Sequence, residues 1–319
     1  MRKLIILFAS FTLILCDKLS ESEDQKRAER CGRIGKDVGT EAPPWAVRIH
    51  VASKEDDPNR WRSSATMISQ RHVLAHGSDV IKQTGNGTNK YEWVHGTRME
   101  MGKECKDGVI EMPKKLLKNY KILLSTCKNV DVCGTAILRK VVRGWFIGSC
   151  EPVHGVFGMV LMEISSNVPK DSEYFRPVCM PAEKKSPSVG SSAFFHSSGD
   201  ASLDSKVDGL IKWTDSKITK CTDHRRLISM ICASHNSCGG DEGGAIVQKI
   251  DDKDTVVGIL TRSERGCKKK AENDQAISTG YFKEKICELA GICKTAVTVS
   301  SADEFNVVIA VIIALIMMI

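Results

Sequence analysis

The sequence predicts an all-β protein that ends in a helix, and three stretches carry this prediction. Residues Pro43–Val51 alternate apolar and polar side chains after a proline turn, which is the period-two pattern of a half-buried strand. Residues Val156–Ile164 are almost continuously apolar, as expected for a buried strand. In Gly280–Ala290, apolar side chains recur at positions 282, 286, 289 and 290, which places them on one face of a helix.

Length and charge limit the classes of protein to be considered. The chain has 319 residues, enough for one large all-β domain or two smaller ones. Its formal net charge is +7, and the basic residues are spread along the chain apart from Lys268–Lys270. Such a triplet is usually a solvated loop, with an anionic surface or a glycan as the alternative. We therefore expect no nucleic-acid partner.

Both ends of the chain carry the patterns of targeting signals. Residues 1–16 combine Arg2 and Lys3 with a short apolar run, which predicts a secretory signal peptide. The tail at residues 307–319 is wholly apolar, but as a helix it spans only about 20 Å of a hydrocarbon core of about 30 Å. After a polar linker at 294–306, this tail predicts a GPI signal or a short membrane anchor; a secreted form is the third alternative. We expect a secretory-pathway protein, at the cell surface or extracellular.

The cysteines predict a disulfide framework. One of the 13 cysteines, Cys16, falls in the signal peptide, so twelve remain after its removal. An even number of cysteines in a secreted protein is typical of disulfide pairing. The paired Cys-x-x-Cys spacing of zinc sites does not occur, and we expect neither a metal nor another cofactor.

Two further stretches are predicted to face solvent. Residues 17–30 are polar and charged, which indicates an exposed leader with no core of its own. Asn86-Gly87-Thr88 is an N-glycosylation sequon in a turn-like stretch, so we expect Asn86 to be glycosylated.

The stretch Cys238–Ala245, Cys-Gly-Gly-Asp-Glu-Gly-Gly-Ala, places four glycines in eight residues. Such a run is typical of a tight turn whose backbone N–H groups point at one site. It resembles the nucleophile loop Gly-Asp-Ser-Gly-Gly-Pro of the trypsin-like serine proteases, family S1. Further motifs of that family follow the same order, among them Arg176–Pro181 (Arg-Pro-Val-Cys-Met-Pro) and Met230–Ala233 (Met-Ile-Cys-Ala). The resemblance covers Cys31–Ala290 and implies two six-stranded antiparallel β-barrels in a homology domain at residues 31–293.

The resemblance also locates the positions of the catalytic triad. Peptide hydrolysis by this family needs a hydroxyl nucleophile, an imidazole base, an orienting carboxylate and two backbone N–H donors. Here the nucleophile position holds Glu242, the histidine position Ser78 and the aspartate position Gly158. None of these side chains can do the original chemistry. The oxyanion loop, which consists of Gly240, Asp241 and Glu242, is retained, and we hypothesise that its amides hold the Glu242 carboxylate.

His76 admits two interpretations because it lies two residues before the histidine position. It is either a shifted catalytic base, working with Glu242 in a rebuilt site, or a polar surface or loop histidine. A base must lie about 3 Å from its nucleophile, and a shift of two residues moves the side chain further than that. The second interpretation is therefore favoured.

The substrate pocket differs from that of the family as well. By resemblance, Asn236 stands at the base of the pocket, and Ser263 and Gln275 replace the two glycines of its walls. A glutamine side chain would occupy space that a substrate side chain needs. Arg33-Ile34-Gly35 matches the activation cleavage motif only in part, so whether this bond is cleaved stays open.

One disulfide of the family is missing at both of its positions, which hold Ser63 and Asp79. Its loss should cost about 3 kcal/mol for a loop of this length. The pairing of Cys105, Cys127, Cys133, Cys150, Cys287 and Cys293 stays open. The resemblance implies three other disulfides: Cys31–Cys179, Cys221–Cys232 and Cys238–Cys267.

Together these residues predict a serine protease homologue without catalysis, which acts by binding an extracellular protein and is held at a membrane through its tail. The first alternative is an active S1-type endopeptidase with a rearranged site. The second is a cysteine-stapled β scaffold with no protease ancestry.

Overall fold

The computed structural model describes most of the chain between residues 18 and 295. The predicted signal peptide, Asn86 and the apolar tail lie outside the described residues. No helix in the described part is long and apolar enough to cross a membrane. The described residues are 18–34, 43–51, 62–84, 91–94, 96, 98–124, 137–150, 157–168, 175–182, 184, 187–197, 211–221, 229–234, 237, 240–262 and 273–295.

Strands dominate the described part. In chain order the elements are α1 (Glu21–Arg30), β1 (Ala46–Val51), β2 (Arg62–Met67), β3 (His72–His76), a 3-10 turn (Gly77–Asp79), β4 (Ile81–Gln83), β5 (Tyr91–Trp93), β6 (Arg98–Met99), α2 (Met101–Glu104), β7 (Val109–Glu111), α3 (Lys114–Leu117), β8 (Tyr120–Leu124), β9 (Ile137–Gly148), β10 (Gly158–Ile164), β11 (Ser192–Ser197), β12 (Lys212–Thr219), β13 (Met230–Ala233), β14 (Ala245–Ile250), β15 (Lys253–Arg262), β16 (Asp274–Ser278) and α4 (Lys283–Ala290).

The first barrel closes through the long strand β9. The first residues of β9 pair with β8 and its last residues pair with β10, so the ring runs β10-β3-β2-β1-β8-β9. The predicted strand at Pro43–Val51 contains β1, which pairs with β2 on one side and β8 on the other. The apolar run at Val156–Ile164 contains β10, which is buried along its whole length. Both strand predictions are confirmed.

The second barrel runs β11-β12-β13-β16-β15-β14 and is also closed. Its interior is packed with alanines, branched aliphatic side chains such as Ile246 and Leu260, and the ring of Phe195. Helix α4 follows, as predicted, and ends at Gly291, whose φ of +70° is the left-handed conformation common just after a helix. The predicted fold class, two six-stranded antiparallel β-barrels with a C-terminal helix, is confirmed.

Most of the leader predicted at residues 17–30 is the helix α1, which buries Asp24, Arg27 and Ala28. A capping box closes its first turn. The Asp24 carboxylate is buried; it accepts the Arg27 Nε–H at 2.7 Å and the backbone N–H groups of Cys293 and Lys294 at 2.9 and 2.6 Å. The helix is therefore attached to the end of the domain by polar contacts. The search for apolar stripes in the sequence does not detect a helix that is held in this way.

The segment between β3 and β8 adds a small sheet, β4-β5-β6, and the short helices α2 and α3. The Cys105–Cys150 disulfide links the chain before β7 to the residues just after β9, so that it encloses β8 and β9 of the first barrel. Helix α3 packs against β9.

Disulfides confirm two of the pairings that the resemblance implies. Cys238, Cys267, Cys127 and Cys133 lie outside the described residues. Four disulfides within the described part indicate an extracellular or secretory-pathway protein. They are Cys31–Cys179 and Cys221–Cys232, as implied, and Cys105–Cys150 and Cys287–Cys293, whose pairing the sequence left open.

Candidate functional site

The glycine loop, described from Gly240 to Ala245, lies between the two barrels. Gly240 and Gly243 have φ angles of +85° and +84°, in the left-handed region that favours glycine. A Cβ atom on Gly243 would overlap the backbone oxygen of Ser64 in β2. The Ser64 N–H lies 3.2 and 3.1 Å from the backbone oxygens of Gly240 and Glu242, to which it donates. The glycines therefore let a loop of the second barrel dock closely on the first.

The Glu242 side chain folds back onto its own loop. Its Oε2 accepts the N–H of Gly240 at 3.0 Å, which is the kind of contact hypothesised from the sequence. By resemblance, the Gly240 amide is one of the donors that would hold a substrate oxyanion. A backbone amide has a single hydrogen to donate. The carboxylate therefore occupies a donor on which hydrolysis would depend.

His76 and Ser78 lie next to each other where β3 runs into the 3-10 turn. The Ser78 Oγ and the His76 Nδ1 are 2.6 Å apart. Ser78 is exposed, whereas His76 is buried, and this burial lowers the pKa of His76 to about 4. The ring is therefore neutral near pH 7, and its Nδ1 can accept the serine O–H. A hydroxyl and an imidazole at this distance have the geometry of a nucleophile and its base.

The aspartate position of the family has no room for a side chain. A Cβ atom on Gly158 would overlap two ring carbons of Phe146 and lie 2.7 Å from the backbone oxygen of Ile147. Phe146 is completely buried, and a Cβ on Gly77 would lie 2.8 Å from the same ring. The aromatic ring thus fills the region where a carboxylate would have to stand. Sequence reasoning missed Phe146, because its packing depends on contacts between β9, β10 and the 3-10 turn.

Ser63 and Asp79, at the positions of the missing disulfide, are in direct contact. The Ser63 Oγ–H donates to the Asp79 Oδ1 at 2.7 Å. This hydrogen bond joins β2 to the 3-10 turn, the two segments that the family's cysteines would link. The contact supports the alignment that places Ser78 at the histidine position.

The Asp79 carboxyl group lies in an unfavourable environment for a charge. Although the residue is only half-buried, its Oδ2 is fully enclosed. Burial raises the pKa of Asp79 to about 7, the Ser63 hydrogen bond lowers it, and the negative charge of Glu242 raises it. Two carboxyl groups therefore influence each other beside the oxyanion loop, where they would repel a developing oxyanion.

The pocket positions are described only in part. Gln275 lies in β16, opposite Cys232 of β13, and is almost completely buried. Asn236 and Ser263 lie outside the described residues. The neighbouring Asp274 was not anticipated from the sequence; its carboxylate accepts the N–H and Oγ–H of Ser237 at 3.0 and 2.9 Å. Over the described residues, no three His, Cys, Asp or Glu side chains converge so as to hold a metal ion.

Two closed six-stranded barrels with a glycine loop between them define a trypsin-like protease homologue. More narrowly, the chain belongs to the nematode trypsin-6-like family, whose sequence model matches residues 3–293. A comparison with curated proteins gives no match.

Proposed function

We propose that this protein is a catalytically inactive trypsin-like homologue that acts by binding an extracellular protein. The observation that carries the proposal is the hydrogen bond from the Gly240 N–H to the Glu242 carboxylate. The residue at the nucleophile position has no hydroxyl, and its negative charge takes up an amide that should stabilise the negative charge of the reaction. The glutamate at position 242 thus removes the nucleophilic hydroxyl and also blocks the Gly240 N–H donor.

The other two triad positions support the same proposal. Ser78 cannot replace the family's histidine as a base, and Gly158 carries no carboxylate. Removing a complete triad costs a protease of this type about 10⁶ in turnover. The remaining function of the domain is then recognition, for which two closed barrels, each with a disulfide of its own, offer a rigid surface.

A second candidate function is an endopeptidase with a rearranged site, and the contact between Ser78 and His76 favours it. Three features oppose it. A base with a pKa of about 4 draws a proton only weakly from a serine at neutral pH. Phe146 excludes an orienting carboxylate at Gly158. The Gly240 amide already donates to Glu242.

Labelling with a fluorophosphonate probe separates these functions, because the probe reacts with activated serines. We expect the purified native protein to remain unlabelled and to match the Ser78→Ala variant. Labelling that is strong in the native protein and absent from Ser78→Ala would establish the rearranged hydrolase instead. Active trypsin, treated in parallel, controls for the probe.

We also propose that the apolar tail at residues 307–319 anchors the protein at the cell surface, with a GPI anchor as the favoured form. We propose in addition that Asn86 is glycosylated. Release of the protein from intact cells by phosphatidylinositol-specific phospholipase C tests the anchor. A protein that stays on treated cells has a membrane segment, and one found only in the medium has no anchor. Loss of apparent mass on glycosidase treatment, and its absence in Asn86→Gln, tests the glycan.

A further inference from the structure

Five lysines lie on or next to three neighbouring elements of the first barrel. Helix α3 and the residue that follows it contribute three lysines, β8 contributes one and β9 contributes one. All are exposed except Lys121, which is half-buried. Helix α3 packs against β9, so that these three elements are neighbours. We call this surface the lysine stripe; it consists of Lys114, Lys115, Lys118, Lys121 and Lys140.

Two of these lysines are directly opposite each other in the sheet. Lys121 of β8 and Lys140 of β9 form a cross-strand pair in the antiparallel register. Like charges in that position destabilise a sheet. No carboxylate of the described residues pairs with any lysine of the stripe; Glu111, the acidic residue just before α3, contacts Arg143 instead. Within the described part of the chain, the positive charge of the stripe is therefore not compensated.

Apolar side chains share the face with the lysines. On β9, Leu138 and Lys140 are two residues apart and lie on the same side of the strand, and Val142 follows at a bulge in the pairing of β9 with β10. Leu138 and Val142 are 48% and 42% exposed, and they are two of the five large apolar side chains that the described residues expose. Leu123 of β8, which is half-buried, stands directly opposite Leu138. Charge and apolar surface are thus interleaved.

We infer that the lysine stripe and its apolar neighbours dock an acidic polypeptide segment of a partner protein, one that carries apolar side chains between its carboxylates. Carboxylates would neutralise the opposed Lys121 and Lys140, and apolar side chains would cover Leu138 and Val142. This names the partner class for the binding function proposed above and rests on that proposal. It does not depend on the state of the triad, since the stripe uses none of the triad positions.

The interleaving distinguishes this partner from other polyanions. A sulfated glycan satisfies the lysines but offers no apolar groups to Leu138 and Val142. An anionic membrane offers both, but inserting these two side chains would also draw in Lys140, which lies between them on the same strand. A polypeptide whose own side chains alternate at the same spacing meets both requirements.

Fluorescence anisotropy with the purified full-length protein tests this inference. The probe is a labelled synthetic peptide of about ten residues in which Glu and Leu alternate at every second position, with Ser between them, so that both lie on one face of an extended chain; binding is measured at low and at physiological ionic strength. We expect the Lys121→Glu/Lys140→Glu variant to bind at least about tenfold more weakly than the native protein. Lys217→Glu/Lys220→Glu changes the net charge equally on the second barrel and should bind as the native protein does.

Further measurements separate the partner classes and guard against misfolding. Leu138→Ser should weaken peptide binding while leaving any binding of heparin oligosaccharides unchanged. Lys121→Glu alone places opposite charges across the strands, so its thermal midpoint should rise above that of the native protein. Equal losses in both double variants would overturn the inference. So would binding of heparin or phosphatidylserine vesicles through the stripe without binding of the peptide. A failure here leaves the labelling result, and with it the proposed inactivity, unaffected.

Discussion

Restoring the missing disulfide tests the alignment on which the functional proposal depends. In the double variant Ser63→Cys/Asp79→Cys, two cysteines replace side chains that now meet through a 2.7 Å hydrogen bond. If β2 and the 3-10 turn are placed as described, the two thiols should form a disulfide during folding in an oxidising compartment. Ser78 is then fixed as the neighbour of this link, at the family's histidine position.

The expected stability follows from two opposing contributions. A cross-link from residue 63 to residue 79 should destabilise the unfolded chain by about 3 kcal/mol. Loss of the Ser63–Asp79 hydrogen bond should cost about 1 kcal/mol. The net gain in the free energy of unfolding is therefore about 2 kcal/mol, which for a domain of this size raises the thermal midpoint by about 4–8 °C. Removal of a carboxyl group next to Glu242 acts in the same direction.

Peptide mapping by mass spectrometry without reduction shows whether the bond forms, and calorimetry gives the thermal midpoint. The Ser63→Ala/Asp79→Ala variant, which lacks the same two side chains but has no cross-link, should melt below the disulfide-bonded variant. Free thiols at both positions in a protein whose four described disulfides are intact would refute the placement. The assignment of Ser78 to the histidine position would then fail with it.

Three further predictions follow from the packing and charge of individual residues. Gly158→Ala should lower the free energy of unfolding by about 1–3 kcal/mol, because its Cβ overlaps the Phe146 ring. Asp79→Asn should stabilise the protein increasingly as pH rises. The pKa of Asp79 is about 7 in the folded protein and 3.8 for an unperturbed aspartate, so the free energy of unfolding of the native protein falls as pH rises between these values. The difference between variant and native protein should reach up to about 4 kcal/mol. Asp24→Ala should cost about 3–5 kcal/mol in chemical denaturation, because it leaves the buried Arg27 unpaired.

Each of these measurements has a matched control. Phe146→Leu should reduce the penalty of Gly158→Ala, and a penalty that is unchanged would mean that the ring is not the obstacle. Lys26→Ala, on the exposed side of α1, should leave stability unchanged; an equal loss there would contradict the buried ion pair. For Asp79→Asn, a difference from the native protein that does not vary between about pH 4 and pH 8 would contradict the raised pKa.

The two-barrel fold could be predicted because the resemblance consists of several short motifs in a fixed order. The Met230–Ala233 motif is the strand β13, and the glycine loop is a tight turn, so that packing restricts the choice of residue at both. The same order also located Ser63 and Asp79, which are far apart in sequence, at two ends of one link. The two residues that replace the cysteines are in contact through a hydrogen bond. The motif order therefore paired two positions that lie side by side in the fold.

Other parts of the site could not be predicted, because they depend on contacts between distant segments. Helix α1 has no apolar stripe, and its attachment through Asp24 to the backbone near Cys293 joins the two ends of the domain. The ring of Phe146, on β9, occupies the aspartate position, and no family motif lies on that strand. No sequence motif marks Asp274, and its hydrogen bond with Ser237 is evident only from the structure.

The three altered positions are each supported by their surroundings, so reverting one of them should not restore hydrolysis. Glu242→Ser would free the Gly240 amide, yet the new hydroxyl would have Ser78 where a base is needed. A histidine at position 78 would in turn stand beside Asp79, which accepts from Ser63, and would lack an orienting carboxylate at Gly158. Placing that carboxylate requires Phe146 to move, and this ring is completely buried against β10. On the proposal of an inactive homologue, the obstacle to catalysis therefore extends from the side chains of the triad into the packing of the first barrel.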